Sequence, residues 1–163
     1  MSKVYISVGS NIDKAASIRK GVEDMRQVFG ELELSSVYQS EAVGFKGDDF
    51  YNLVAAFETE KDVLTVSRLL HQIEDKNGRD RSGPRFSSRT LDLDLLVYDE
   101  LVSQQNGLDV PRGEILKNAF VLWPLAEIAP QLSHPVTGKS YAEHWQVFDK
   151  TKEKLYPIDF DWG

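Results

Sequence analysis

The run Thr90-Leu91-Asp92-Leu93-Asp94-Leu95 alternates between leucine and aspartate without a break. A period of two is the period of a pleated strand, so Leu91, Leu93 and Leu95 share one face and Asp92 and Asp94 the other. The leucine face requires a core beneath it, and the aspartate face requires water, a cation or a basic partner. The segment is therefore read as one strand of an antiparallel sheet whose apolar side is covered by helices.

The rest of the chain is read around that strand. Val4-Tyr5-Ile6-Ser7-Val8 is a buried strand closed by Gly9-Ser10-Asn11, and the helix after it places Ile18, Val22, Met25 and Phe29 on one side. A second strand is expected near Leu34 to Ser40 and a third from Tyr51 to Glu58, paired antiparallel across a turn-rich loop from Glu41 to Asp49. Asp62 reads as the N-cap of a helix that turns Val63, Val66, Leu69, Leu70 and Ile73 inward and stops near Asn77-Gly78. With the loop from Arg79 to Arg89 and a strand from Thr90 to Tyr98, the order is βαββαβ. That order predicts an α+β fold of the ferredoxin-like sandwich type, with helices on one face of a single antiparallel sheet.

Beyond it, Phe120 to Leu125 leads into a short helix, and Pro135 and Gly138 within His134 to Lys139 suggest a turn or hairpin, a C-terminal helical and hairpin extension. The tail from Tyr141 carries little pattern. Residues 1–163 hold no linker and no internal repeat, and are expected to form a single domain.

Composition narrows the chemistry. A net charge of −7 opposes nucleic acid and anionic lipid as partners, because clustered Lys and Arg supply most of that affinity. The absence of cysteine excludes disulfides and thiolate catalysis and fits a reducing compartment. No apolar run exceeds strand length, so neither a signal segment nor a membrane span is expected, and the cytoplasm is the expected location.

In a strand, Asp92 and Asp94 have Cα atoms about 6.5 Å apart, which lets both carboxylates converge on a pair of hard cations about 3.5–4 Å apart. Magnesium suits oxygen donors of this kind when it also keeps waters and substrate phosphates. Two aspartates facing solvent remain the plain alternative. The loop just before them, Arg79-Asp80-Arg81-Ser82-Gly83-Pro84-Arg85-Phe86-Ser87-Ser88-Arg89, sets four guanidinium groups beside the pair, and such planar cations clamp phosphates well. The bland reading of those arginines is pairing with Glu74 or Asp75. Neither a P-loop nor a dinucleotide fingerprint occurs, and His71, His134 and His144 lack metal-ligand spacing. Read alone, Phe50 and Phe120 are core aromatics.

Taken together, four elements are distinctive: Gly9-Ser10-Asn11, the stretch Glu74 to Arg79, Arg89-Thr90-Leu91-Asp92-Leu93-Asp94, and Phe120-Val121-Leu122-Trp123-Pro124-Leu125-Ala126-Glu127-Ile128-Ala129-Pro130. In collinear order from about Val4 to Pro130, the chain resembles the 6-hydroxymethyl-7,8-dihydropterin pyrophosphokinases of folate biosynthesis. The resemblance implies transfer of the β,γ-pyrophosphoryl group of ATP to the pterin hydroxymethyl oxygen, with AMP leaving and two magnesium ions on Asp92 and Asp94. It implies that Glu74, Arg79, Arg81 and Arg89 surround the ATP phosphates and the reacting groups, with His71 near the nucleotide. It also implies that Ser40, Val43, Gly44, Phe50, Asn52 and Phe120 form the pterin pocket, Phe50 and Phe120 stacking on the ring. Only these small-molecule partners are expected, and a monomer.

The departures lie in the loops. Pro111-Arg112-Gly113 stands where the family commonly has Pro-His and an aromatic or Pro, and Asn118 stands where it usually has a phosphate-binding Arg. Arg112 is expected to serve in part for both, with Lys117 as a substitute cation. Glu41-Ala42 replaces a Pro-rich start of the pterin loop, and Phe86-Ser87-Ser88 replaces a Trp-Gly-Pro-like stretch. One charge-assisted phosphate contact is worth roughly 1.5–3 kcal/mol. The expectation is an active enzyme, and the alternative is a relative that binds pterin or nucleotide without turnover.

Overall fold

The computed structural model of the chain describes residues 1–40, 49–78, 91–151 and 153–163. Strand β1 (Ser2–Ser10) lies between β4 (Phe50–Thr59) and β5 (Asp92–Tyr98), and both pairings are antiparallel. β4 pairs in turn with β3 (Val37–Ser40) and with the two residues of β2 (Glu33–Leu34). A last strand, β6 (Leu155–Ile158), adds to the free edge of β3, giving the order β5-β1-β4-β3-β6 in a six-stranded sheet. With four α-helices among the described residues, this is a mixed α/β fold on an antiparallel sheet.

Helices α1 (Lys14–Phe29) and α2 (Val63–Lys76) cover one face. Asp62 caps α2 by accepting the Thr65 amide at 2.8 Å, and the helix gives way at Asn77, both as the sequence predicts. Ile18, Val22 and Met25 from α1 and Val66, Leu70 and Ile73 from α2 meet Val4, Ile6, Val8, Leu53, Ala55, Phe57, Leu91 and Leu93 from the strands. Gly21 lets α1 lie close against Leu91, the residue before β5, since a Cβ there would stand 2.7 Å from a methyl of that leucine.

The opposite face is not left to solvent, which corrects the expectation of helices on one side only. Helix α3 (Ala119–Ile128) packs Val121, Leu122, Leu125 and Ala126 against Tyr5, Val54, Ala56, Leu96 and Val97. The reason is legible in β4, where Leu53 to Phe57 is apolar at every position: a strand without alternation needs cover on both sides. α3 is correspondingly apolar all round and carries Pro124 inside it.

The alternation of β5 also ends sooner than its first residues suggest. Tyr5 pairs with Val97 and Ile6 with Leu95, so Leu96 is an extra residue in the ladder. This bulge turns Leu96 and Val97 together into the α3 core, two residues past Asp94. The tail is ordered as well: Ser140 caps α4 (Tyr141–Val147) by accepting the Glu143 amide at 3.1 Å. Trp145 of α4 stacks on Trp123 of α3 with ring centroids 5.1 Å apart. No helix among the described residues is long and apolar enough to cross a membrane.

Candidate active site

Strand parity assigns a set of polar residues to the α3 side of the sheet. Asn52 shares a face with Val54 and Ala56, Tyr38 and Ser40 share theirs on β3, and Asp92 and Asp94 share the face of Leu96. Register then aligns them: Tyr38 lies opposite Asn52, Asn52 opposite Gly9, and Gly9 opposite Asp92, with Ser7 opposite Asp94. Asn52 and Asp92 are thus two strand spacings apart, about 10 Å, with only a glycine between them.

Gly9 is required by that closeness. A Cβ there would stand 2.8 Å from the Asn52 Oδ1. Asn52 is buried and fixed by donating from Nδ2 to the Ser40 hydroxyl at 3.0 Å, so its amide edge is presented over the bare glycine. The result is a floor with a fixed amide at one end, two carboxylates at the other and no side chain between.

The carboxylate end is crowded with like charge. Asp94, with its side chain 26% exposed, lies 3.6 Å from the Arg112 guanidinium, whose same nitrogen donates to Glu114 at 3.1 Å. Burial and then the neighbouring Asp92 carboxylate push the Asp94 carboxyl up to about 8, Arg112 opposing them. Burial works against the charge on Arg112, but Asp94 and Glu114 outweigh it and hold its pKa above the ordinary value. The Arg112 amide donates to the Leu96 carbonyl at 2.9 Å, which fastens the following 3-10 turn (Gly113–Leu116) to β5 just beyond the bulge. Arg112 Nε is buried without a hydrogen-bond partner among the described residues.

Glu74 reaches this strand from the other helix layer. Its carboxylate is buried and accepts the Leu93 amide at 2.8 Å, tying the end of α2 to the edge strand between the two aspartates. The other predicted residues are more scattered. Phe50 opens β4 opposite Ser40, and Phe120 sits in the first turn of α3; both are half-buried. His71 is exposed on α2. Lys117 is exposed beside a hollow of about 450 Å³ lined by Leu122, His144, Val147, Phe148 and Asp149, a lining that includes none of Asp92, Asp94 and Arg112. Val43, Gly44, Arg79, Arg81 and Arg89 lie outside the described residues, as do Glu41, Ala42 and Phe86.

Two acids matter here that sequence reasoning passed over. Glu114 shares Arg112 with Asp94, and its only signal was an acid two positions after that arginine. Glu127 accepts from the Ser36 amide and hydroxyl and, at 2.6 Å, from the Tyr38 hydroxyl, locking the far end of α3 to β3. Among the described residues no group of three or more His, Cys, Asp or Glu encloses a cation. The carboxylates that β5 presents on this face are Asp92 and Asp94.

The chain is similar to known proteins along most of its length. A 2-amino-4-hydroxy-6-hydroxymethyldihydropteridine pyrophosphokinase of Aquifex aeolicus is 30% identical over 145 residues, covering 88% of this chain and 90% of the relative. The protein of that name from Haemophilus influenzae is 32% identical over 157 residues, covering 90% of this chain and 98% of its own length. Among solved structures, Plasmodium falciparum HPPK-DHPS with pterin and p-hydroxybenzoate superposes with a TM-score of 0.71 at 12% identity, a likeness of fold. That match covers 89% of this chain and 42% of the longer one. Residues 5–130 fit the sequence pattern of 7,8-dihydro-6-hydroxymethylpterin-pyrophosphokinase, and the chain belongs to that family.

Proposed function

We propose that this protein transfers the β,γ-pyrophosphoryl group of ATP to the hydroxymethyl oxygen of 6-hydroxymethyl-7,8-dihydropterin, releasing AMP and the pterin diphosphate. The pterin oxygen bonds to the β-phosphorus as the bond from that phosphorus to the α,β-bridging oxygen breaks, AMP leaves with the bridging oxygen, and the hydroxyl proton leaves to solvent or base. The observation that carries the reading is the row Asn52, Gly9, Asp92: a fixed amide for a flat heterocycle, a bare floor, and a carboxylate pair at the distance of its side arm. In this reading the core is a ferredoxin-like βαββαβ sandwich to which α3, α4 and β6 are added.

The donor set fits magnesium, which is commonly held by one or two carboxylates and otherwise by phosphate oxygens and water. Asp92 and Asp94 are its proposed ligands, for two ions. When bound, magnesium supplies neutralising charge to the phosphate oxygens. The protein's own groups do the rest. Arg112 balances Asp94 and Glu114, and Glu74 holds the strand that spaces the two aspartates. Arg79, Arg81 and Arg89 are proposed as phosphate clamps and His71 as a nucleotide neighbour, while Lys117 is the weakest of the proposed cations because of the separate hollow it borders. Asn52 and Ser40 orient the pterin, with Phe50 and Phe120 stacking on it and Val43 and Gly44 lining its edge. Catalysis is then alignment and charge stabilisation. The protein is proposed to work as a cytoplasmic monomer on these small molecules, apart from nucleic acid and membranes.

Incubation of the purified protein with ATP, magnesium and 6-hydroxymethyl-7,8-dihydropterin tests the proposal directly. AMP and pterin diphosphate should form in equal amounts. Binding of either substrate without AMP would instead favour a non-catalytic relative, and Arg112, Gly113 and Asn118 would be the first positions to revert.

A further inference from the structure

The C-terminal residues 153–158 touch both walls of the proposed pterin site. On one side, the Glu153 carboxylate accepts the backbone N–H of Ala119 at 2.8 Å. Ala119 opens α3 and immediately precedes Phe120. The first turn of a helix presents unpaired N–H groups and a partial positive charge, and the N-cap residue Asn118 supplies no side-chain cap of its own. Glu153 takes over that task from a distant part of the chain. On the other side, Leu155 pairs with Ser40 across the β3 and β6 ladder, and the Ser40 hydroxyl holds Asn52. Two chain steps, at most about 7 Å, separate Glu153 from Leu155. One short strap therefore connects the helix turn bearing Phe120 to the strand end that orients Asn52.

We infer that Glu153 is a positioning residue for the pterin: through Ala119 it fixes the first turn of α3, and with it Phe120, at a set distance from Ser40 and Asn52. The fold does not need it for the rest of α3. The far end of that helix is already locked by Glu127 to Ser36 and Tyr38, and its middle is buried against β4 and β5. Nor does Glu153 share a described contact with Asp92, Asp94 or Arg112, so its influence falls on the pterin side and spares the nucleotide side. The inference rests on the proposed reaction and on Phe120 and Asn52 as pterin contacts.

The test compares Glu153→Ala, Glu153→Gln and the wild type in pterin titrations followed by ring fluorescence, in magnesium-ATP titrations, and in steady-state kinetics. Loss of one charge-assisted hydrogen bond should raise the pterin Kd and KM of Glu153→Ala about tenfold, while the ATP Kd and the kcat at saturating pterin stay within about twofold. Glu153→Gln keeps an acceptor oxygen and should recover most of the loss, and Glu153→Ser, too short to reach the Ala119 amide, serves in place of the alanine variant should that one fold poorly. Pterin affinity equal to wild type in both variants overturns the inference, and so does a parallel loss for pterin and ATP. A wild-type protein that neither binds pterin nor releases AMP removes the proposed reaction and this inference together, whereas normal wild-type turnover with unmoved pterin affinity in the variants removes the inference alone.

Discussion

At Gly9 a single missing methyl decides whether the proposed floor is open. A Cβ there would meet the Asn52 Oδ1 at 2.8 Å, and Asn52 is the partner able to swing, at the expense of its bond to Ser40. Gly9→Ala should therefore cost about 1–3 kcal/mol of stability, as overpacking does. The same variant should bind pterin about tenfold less tightly, one lost hydrogen bond's worth. Unchanged pterin affinity in a titration would mean that the orientation of Asn52 is irrelevant to binding. This residue also marks the limit of sequence reading. The alternation around Asp92 and Asp94 is visible locally because a strand's parity is a property of adjacent residues. That Gly9 faces Asn52 on one side and Asp92 on the other depends on two strand registers, set by pairings far apart in the chain.

Among the elements, α3 shows why the second helix layer escaped the sequence. The sequence led into a short helix here, but a helix apolar at every position except Glu127 has no amphipathic stripe to show that it covers a second face of the sheet. β6 was illegible for a related reason: four residues with a proline make a strand only because β3 offers an open edge. The fastening of α3 to β3 by Glu127 is testable. Glu127→Ala strands the Tyr38 hydroxyl, which burial and the adjacent carboxylate hold protonated, and frees the Ser36 amide. Melting should fall by roughly 5–15 °C, from about 2–4 kcal/mol of lost charge-assisted bonding. A change under a degree would mean that this contact is idle. The turn before α4 carries a pH signature. His134 accepts the Val136 and Thr137 amides at Nδ1, so a proton at that nitrogen breaks both bonds. Burial and then His144 lower its pKa. A lowered histidine pKa means the folded state takes up fewer protons than the unfolded chain. Its stability contribution is therefore complete above the ordinary value of 6.5 and is lost as pH falls through the folded pKa. His134→Asn keeps an acceptor without the titration, so the drop in melting temperature from pH 7 to pH 5 should be smaller than in wild type, and an equal drop would place the acid sensitivity elsewhere.

For the molecule as a whole, the site gathers carboxyl groups on a chain already at −7. Asp94 and Glu114 share the Arg112 guanidinium, and the Asp94 carboxyl is pushed up to about 8 by burial and then by Asp92. Ionising Asp94 in the folded protein therefore carries a cost that a bound cation would offset. The unfolded chain has no such convergence of carboxylates and should not bind magnesium-ATP appreciably. Anything that binds only the folded form stabilises it by RT ln(1 + [L]/Kd), about 2.7 kcal/mol at a hundredfold excess over Kd, which for a chain of this size raises the melting temperature by roughly 5–10 °C. ATP with magnesium should give that shift, and ATP with a chelator most of it should not. Asp94→Asn isolates the proposed ligand. It replaces a carboxyl whose ionised form burial disfavours and keeps the shape, so melting without ligand should stay level or rise, while the magnesium-dependent part of the shift disappears and turnover falls by about 10²–10³. The two readouts move in opposite directions, which no general loosening of the fold can imitate. If the variant and wild type respond equally to magnesium-ATP, the cation is held by groups other than Asp94.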